Sequence, residues 1–217
     1  MRYRQGGAYL HAAPIFHGAD FPALFAAPTF GTLQVTVPRF SPRTFCEAIE
    51  KERISQTVLV PAMINKLIDF ADATHFDLSS LEVLAYGGSP LPVEVYQRTR
   101  QMLPGVKLVQ VYGMTETGFL TGLEAKEDSI GQLLSSCGRS CPGVDLQVVD
   151  PSPGRPVEAG QPGEIVARGA NVMLGYWNHP DWTAQAFRNN FFRTGDIGYQ
   201  DTAGYLFIVD RLKDSHR

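Results

Sequence analysis

The chain of 217 residues is 44% hydrophobic and 19% charged, with a formal net charge of −3. Those proportions fit one or two globular domains, and the interspersed acids and bases leave no basic stripe for nucleic acid. No apolar run reaches transmembrane length, and Cys46, Cys137 and Cys141 form no paired framework, which reads as free thiols in a reducing cytoplasm.

Residues 8–28 are apolar and small, punctuated by Pro14 and Pro28. Within them, 14–20 reads as a turn entering a buried helix from about Gly18 to Ala26. The run 32–37 alternates and is β-branched, which predicts a strand. Ser41 has the chemistry of an N-cap, with Pro42 at the first helical position, so a helix follows to Glu52 with Phe45, Ala48 and Ile49 inward. A strand over 56–60, a helix over 62–70, a strand over 81–86, a helix over 92–102 and a strand over 106–111 continue the alternation. Strands alternating with helices predict an α/β fold with a parallel-type sheet and covering helices. After about Ala125 the helical periodicity stops. Short β-like runs at 144–149, 163–168, 191–193 and 204–209 alternate with Gly/Pro turns, and one helix is expected over 180–187. This predicts a small antiparallel β-barrel-like subdomain, dividing the chain at 1–125 and 126–217.

Several strand ends carry chemistry. The run 106–111 leads into Tyr112-Gly113-Met114-Thr115-Glu116-Thr117-Gly118. Thr115 is a candidate donor to a phosphate oxygen, and Glu116 is a hard oxygen ligand suited to Mg²⁺. Read alone, the same residues make an ordinary βα turn with a capping Thr. Gly87-Gly88 and Gly113 each end an apolar strand, where glycine lets a flat ligand or phosphate approach the backbone. Asp196 is a candidate acceptor for both ribose hydroxyls, with Arg211 a donor to the same sugar; in isolation each reads as part of a surface ion pair. His17 is a candidate pocket residue, though a lone His beside Phe and Gly is more often a packed, hydrogen-bonded one.

Taken in order, the motifs resemble the adenylate-forming (AMP-binding) superfamily, in its acyl-CoA synthetase branch. The carriers are Pro14-Ile-Phe-His17, Gly87-Gly-Ser-Pro-Leu91, Tyr112-Gly-Met-Thr-Glu116, Gly163-Glu-Ile-Val-Ala-Arg-Gly169 with Gly175-Tyr-Trp177, Thr194-Gly-Asp196 and Asp210-Arg-Leu-Lys-Asp214. The resemblance implies a nucleotide site of Gly87, Gly88, Ser89 and Pro90 along the adenine, and Tyr112 stacked on it. Gly113 and Met114 would belong to the same nucleotide site, with Thr115 on the α-phosphate, Glu116 on Mg²⁺, and Asp196 and Arg211 on the ribose. His17 corresponds to the mouth of the acyl pocket, and Lys213 to the hinge of the C-terminal domain. Thr115 and Glu116 are thereby the candidate catalytic residues. The family's reaction joins a carboxylic acid to ATP, giving an acyl-adenylate and pyrophosphate, and then passes the acyl group to a thiol, usually coenzyme A. Met114 after Gly113 resembles acyl-CoA synthetases rather than peptide-synthetase adenylation domains, which typically carry Pro there.

The resemblance also implies parts that these 217 residues do not contain. One is a Ser/Thr/Gly-rich phosphate loop ending in Lys-Gly, expected upstream of Pro14. The other is a C-terminal domain with the adenylation lysine, expected after Lys213. The chain accordingly reads as the second half of the large N-terminal domain, inactive alone, with four strands before residue 112 and an apolar edge or face left uncovered. The alternative is a non-catalytic module for nucleotide or acyl-adenylate, or one chain of a split enzyme completed by a partner chain.

Overall fold

A computed structural model describes residues 5–89, 91–124, 133–152 and 154–211. The chain divides into two compact units, one of Met1–Val111 with Glu124–Leu134 and the other of Tyr112–Leu123 with Ser135–Arg217.

The first unit is an α/β layer. In chain order it runs β1 (Ala8–His11), α1 (Phe21–Thr29), β2 (Leu33–Thr36), α2 (Pro42–Glu52), β3 (Gln56–Leu59), α3 (Pro61–Ile68), a 3₁₀ turn (Ala71–His75), β4 (Val83–Gly87), α4 (Val93–Met102) and β5 (Lys107–Met114). The strands lie in the order β2-β1-β3-β4-β5, and the pairs β1–β2, β1–β3, β3–β4 and β4–β5 are parallel. Parallel strands are covered on their faces, and accordingly every residue of β1 and β3 is buried. Helix α2 shows how locally the sequence specifies its elements. The Ser41 hydroxyl accepts the Thr44 N–H at 3.1 Å while the Ser41 N–H donates to Thr44 Oγ1 at 3.0 Å, a reciprocal cap. Phe45, Cys46 and Ile49 then turn inward, joining Leu10, Leu59, Ile64, Leu67, Leu84 and Tyr86 in the core.

Two expectations for this unit change. Five strands precede residue 112 rather than four, because Ala8–His11 forms β1 between β2 and β3. Four residues after two glycines are too short to show a period, and their burial comes from the flanking strands. The first helix begins at Phe21, since 14–20 is taken up by turns closed by His17 N–H to Pro14 O (2.9 Å) and Phe21 N–H to His17 O (3.0 Å). Nor is that helix wholly buried: Ala23 and Ala27 face inward, while Phe21 and Phe25 are exposed, as are Phe16, Phe30 and Leu33 nearby in sequence.

The second unit is β-rich. It starts with the end of β5 and continues through β6 (Gly118–Glu124), β7 (Arg139–Ser140), β8 (Asp145–Val149), β9 (Gly163–Arg168), α5 (Pro180–Ala186), β10 (Phe187–Arg188), β11 (Phe191–Gln200) and β12 (Leu206–Arg211). Strands β8 to β12 form one antiparallel sheet, in the order β10-β11-β9-β8 with β12 on β11. Leu120, Leu146, Val148, Ile165, Ala167 and Leu206 fill its core. The strand expected at 191–193 runs on to Gln200, and 201–204 is the expected turn, closed by Gly204 N–H to Asp201 O at 2.9 Å. Among the described residues no helix is long and apolar enough to cross a membrane, and all three cysteines are unpaired.

Candidate nucleotide site

The glycines of the second unit's first turn are required by the backbone. Strand β5 extends through Tyr112 and Gly113 to Met114, and after three turn residues the chain doubles back as β6. The turn is therefore a tight hairpin connection and not the entry to a helix. Gly113 lies against Gly118, so an added Cβ would overlap the Gly118 carbonyl oxygen, and Gly118 itself has φ +58°. Inside the turn, fully buried Thr117 organises the loop: its Oγ1 accepts the Met114 N–H and donates to Gly118 O, both at 3.0 Å. With Thr117 directed inward, Thr115 is exposed and Glu116 half-buried.

Residues 171–176 fasten this turn from outside. The Asn171 amide donates to Thr117 O at 2.6 Å, the Met173 N–H to Glu116 O at 2.7 Å, and the Tyr176 hydroxyl to Glu116 Oε1 at 3.0 Å. Burial, and then the bond and charge of Glu116, push the Tyr176 phenol up to about 12, so it stays a donor at neutral pH.

Asp196 is presented by an irregularity in β11. Between Arg193 and Ile197 the strand takes four steps while β9 takes two, from Val166 to Glu164. Extra residues of this kind bend a strand and redirect a side chain. Gly195 supplies φ +72°. Thr194 replaces the lost ladder bonds, its hydroxyl donating to Ile165 O at 2.7 Å and accepting the Asp196 N–H at 3.1 Å. The Asp196 carboxylate then accepts from the Tyr112 hydroxyl (Oδ2, 2.7 Å) and pairs with Arg211 Nε (Oδ1, 3.5 Å). Burial first, and next the Asp196 charge, raise the Tyr112 phenol far above its ordinary value.

In the first unit, β4 ends at Gly87, where a Cβ would overlap the Val111 carbonyl oxygen, and Gly88 follows with φ +84°. Gly88 and Ser89 are exposed, and Pro90 lies outside the described residues, as does Lys213. His17 is exposed on its turn, and its Nδ1 accepts the Ala19 N–H at 3.3 Å.

A model of the AMP-binding enzyme family matches residues 1–177. The chain belongs to the AMP-binding enzyme family. Over 209 residues it is 36% identical to a medium/long-chain-fatty-acid–CoA ligase of Mycobacterium tuberculosis, covering 95% of this chain and 36% of that one. It is 37% identical to a feruloyl-CoA synthase of Amycolatopsis sp, covering 94% and 41%. Among solved structures, the inhibitor-bound N-terminal domain of FACL13 from Mycobacterium tuberculosis superposes with a TM-score of 0.88 at 30% identity, over 98% of this chain and 52% of that one. O-succinylbenzoate coenzyme A synthetase from Bacillus subtilis, in complex with ATP and magnesium ion, gives 0.84 at 28% identity, over 96% and 42%. The chain thus spans roughly two fifths of the length of these curated AMP-binding relatives.

For a member of the AMP-binding family, the chemistry of the Thr115–Glu116 turn can be tested against Mg²⁺. Among the described residues no group of three His, Cys, Asp or Glu side chains could hold a metal unaided. One carboxylate completed by phosphate oxygens is, however, a set that Mg²⁺ accepts, and Tyr176 engages only one of the two Glu116 oxygens. The residues fit the ion. Two features escaped the sequence reading. Tyr176 appeared there only as a letter of Gly175-Tyr-Trp177. The buried set His11, Asp20 and Tyr9, with half-buried Gln34 beside it in the first unit, went unnoticed, although two polar residues inside an apolar stretch signalled it.

Proposed function

We propose that these residues carry the nucleoside-side part of an AMP-forming acid–CoA ligase. What supports this best is the second unit's β5–β11 arrangement, where Tyr112 and Asp196, 84 residues apart, are joined by a 2.7 Å hydrogen bond at the bulge of β11. On this reading Asp196 accepts from the ribose hydroxyls with Arg211 beside it, and Tyr112 presents its ring to the adenine. Gly113, Met114 and Thr115 lie along the α-phosphate, where Thr115 donates. Glu116 holds Mg²⁺, which when bound offsets the negative charge that gathers on the phosphates during acyl-adenylate formation. In the first unit, Gly87, Gly88, Ser89 and Pro90 line the adenine by their backbone, and His17 stands at the acyl pocket. Lys213 is the hinge. The acid is fatty or aryl, as in the ligases named for fatty acids and ferulate, the acyl acceptor is coenzyme A, and the setting is the cytoplasm.

The 217-residue polypeptide is expected to bind AMP but not to form acyl-CoA at a useful rate. The test is titration with AMP followed by thermal unfolding. Saturation at a hundred times the dissociation constant stabilises by about 2.7 kcal/mol. No shift at millimolar AMP would overturn the nucleotide reading, and acyl-CoA formed from purified polypeptide, ATP, Mg²⁺ and acid would overturn the inactivity.

A further inference from the structure

Glu116 sits on a half-exposed turn, where a free glutamate side chain samples many rotamers and ordering it costs conformational entropy. Here it is not free. Tyr176 takes Oε1 at 3.0 Å, and Oε2 accepts no hydrogen bond among the described residues. The Met173 N–H holds the same residue's carbonyl at 2.7 Å, so Glu116 is gripped at backbone and side chain by one segment.

Tyr176 is in turn fixed at its backbone and at its ring. Its backbone N–H donates to Thr183 Oγ1 at 2.9 Å, and that hydroxyl donates to His179 O at 3.0 Å, at the start of α5. Its ring meets Trp182 edge-on, 6.3 Å between centroids at 82°. Gly175 permits the approach, since a Cβ there would lie 2.7 Å from Thr183 Cγ2 and 2.9 Å from its Oγ1. Helix α5 has no buried residue, so the fold's core does not explain this chain of contacts. It ends on one oxygen of one carboxylate and leaves the other for a ligand.

We propose that Tyr176, held by Thr183 and Trp182, is a positioning residue that orients the Glu116 carboxylate so that Oε2 meets Mg²⁺ bound with the nucleotide. This rests on the reading of Glu116 given above. A group that hydrogen-bonds a metal-binding carboxylate fixes its orientation, and removing such a group typically lowers metal affinity about 10–100-fold. A partner of purely structural value would instead lower folding stability and all ligand affinities together.

The test uses calorimetric titration of the 217-residue protein with AMP without metal, and with ATP in the presence and absence of Mg²⁺, alongside thermal unfolding. In the wild type, Mg²⁺ is expected to strengthen ATP binding, and Glu116→Gln to abolish that increment. Tyr176→Phe is expected to reduce the increment by about tenfold or more while AMP binding without metal and the unfolding temperature stay near wild type. Thr183→Ala, which leaves the Tyr176 hydroxyl in place but frees its backbone, is expected to reduce it partially and serves if Tyr176→Phe does not fold. Trp177→Ala, at an exposed neighbour, is expected to change nothing. A Tyr176→Phe protein that keeps the full Mg²⁺ increment, or loses AMP affinity and stability in parallel with it, would overturn the proposal and leave the nucleotide reading standing. A wild type that binds neither nucleotide would overturn both.

Discussion

The Tyr112 hydroxyl donates a 2.7 Å hydrogen bond to Asp196 Oδ2, while Arg211 Nε stands 3.5 Å from Oδ1. The carboxylate is thus held by the protein's own groups. Each carboxylate oxygen can accept more than one hydrogen bond, so under the proposed reading ribose hydroxyls would bind without displacing Tyr112. Arg211 is largely exposed, and its ion pair contributes little by itself.

Asp196→Ala removes both acceptors. Hydrogen bonds to a charged group are each worth about 1.5–3 kcal/mol, so AMP affinity is expected to fall by about a hundredfold or more. Tyr112→Phe keeps the ring and both acceptors but frees the carboxylate, and a smaller loss of about tenfold or less is expected, because the Tyr112–Asp196 bond exists with or without ligand and only orients the acceptors. Calorimetric titration measures both, and equal losses would show that Tyr112 acts by more than orienting Asp196.

A buried carboxylate, Asp20, governs the first unit's response to pH. His11 Nδ1 lies 3.0 Å from Asp20 Oδ2, its Nε2 2.8 Å from Gln34 Oε1, and the Tyr9 hydroxyl donates to Asp20 Oδ1 at 2.9 Å. Burial opposes the imidazolium, but the bond and charge of Asp20, helped by Gln34, outweigh it and raise the His11 pKa above 6.5. The folded protein therefore holds a proton that the unfolded chain releases near 6.5. That stability is fully present below pH 6.5 and is lost as pH rises through the raised value. Urea midpoints are expected to fall between pH 6 and 9. Asp20→Asn should flatten this dependence, because burial then keeps the His11 imidazole neutral, and should cost about 1.5–3 kcal/mol at pH 6 through loss of the charged acceptor shared by His11 and Tyr9.

Gly113→Ala tests the hairpin. The added methyl would overlap the Gly118 carbonyl oxygen, so β5 and β6 must separate. A backbone clash cannot be relieved by a rotamer change, and a loss above about 3 kcal/mol is expected, well beyond the roughly 1 kcal/mol of an average substitution. Denaturant unfolding checks it, and near-wild-type stability would mean that the turn can shift.

How much of this the sequence conveyed depended on the length and regularity of each signal. The elements from Thr32 to Val111 were legible because proline, N-cap and periodicity signals agree, as at Ser41 and Pro42. Strand β1 was not, since Ala8–His11 owes its burial to β2 and β3. Strand β6 was hidden because Gly118 and Gly122 break its pattern and its pairing depends on a turn held by Thr117. The position of Asp196 was visible through its motif, but the bulge that aims it depends on the register between β11 and β9, which no local pattern encodes. Tyr176 and Glu116 are 60 residues apart, and only the fold brings hydroxyl to carboxylate.

The bulge of β11 is flanked by a charge pair. Glu164 is almost fully buried in β9, and Arg193 grips both its oxygens: Nε to Oε1 at 3.1 Å and Oε2 at 3.0 Å, and one terminal nitrogen to Oε2 at 2.9 Å. Glu164 pairs with Ile197 just past the irregularity, and Arg193 with Val166 just before it, so the pair spans the segment that carries Asp196. Arg193→Met leaves a buried carboxylate without its partner, and a loss of about 3–5 kcal/mol is expected. Arg193→Lys retains charge without the planar fork and should recover part of that loss. Replacing both residues, as Arg193→Met with Glu164→Leu, removes the unpaired charge along with the pair, and should be more stable than Arg193→Met alone. Urea midpoints give this order. AMP titration of the double variant then separates stability from positioning: if the pair sets the bulge, affinity falls even where stability has been recovered.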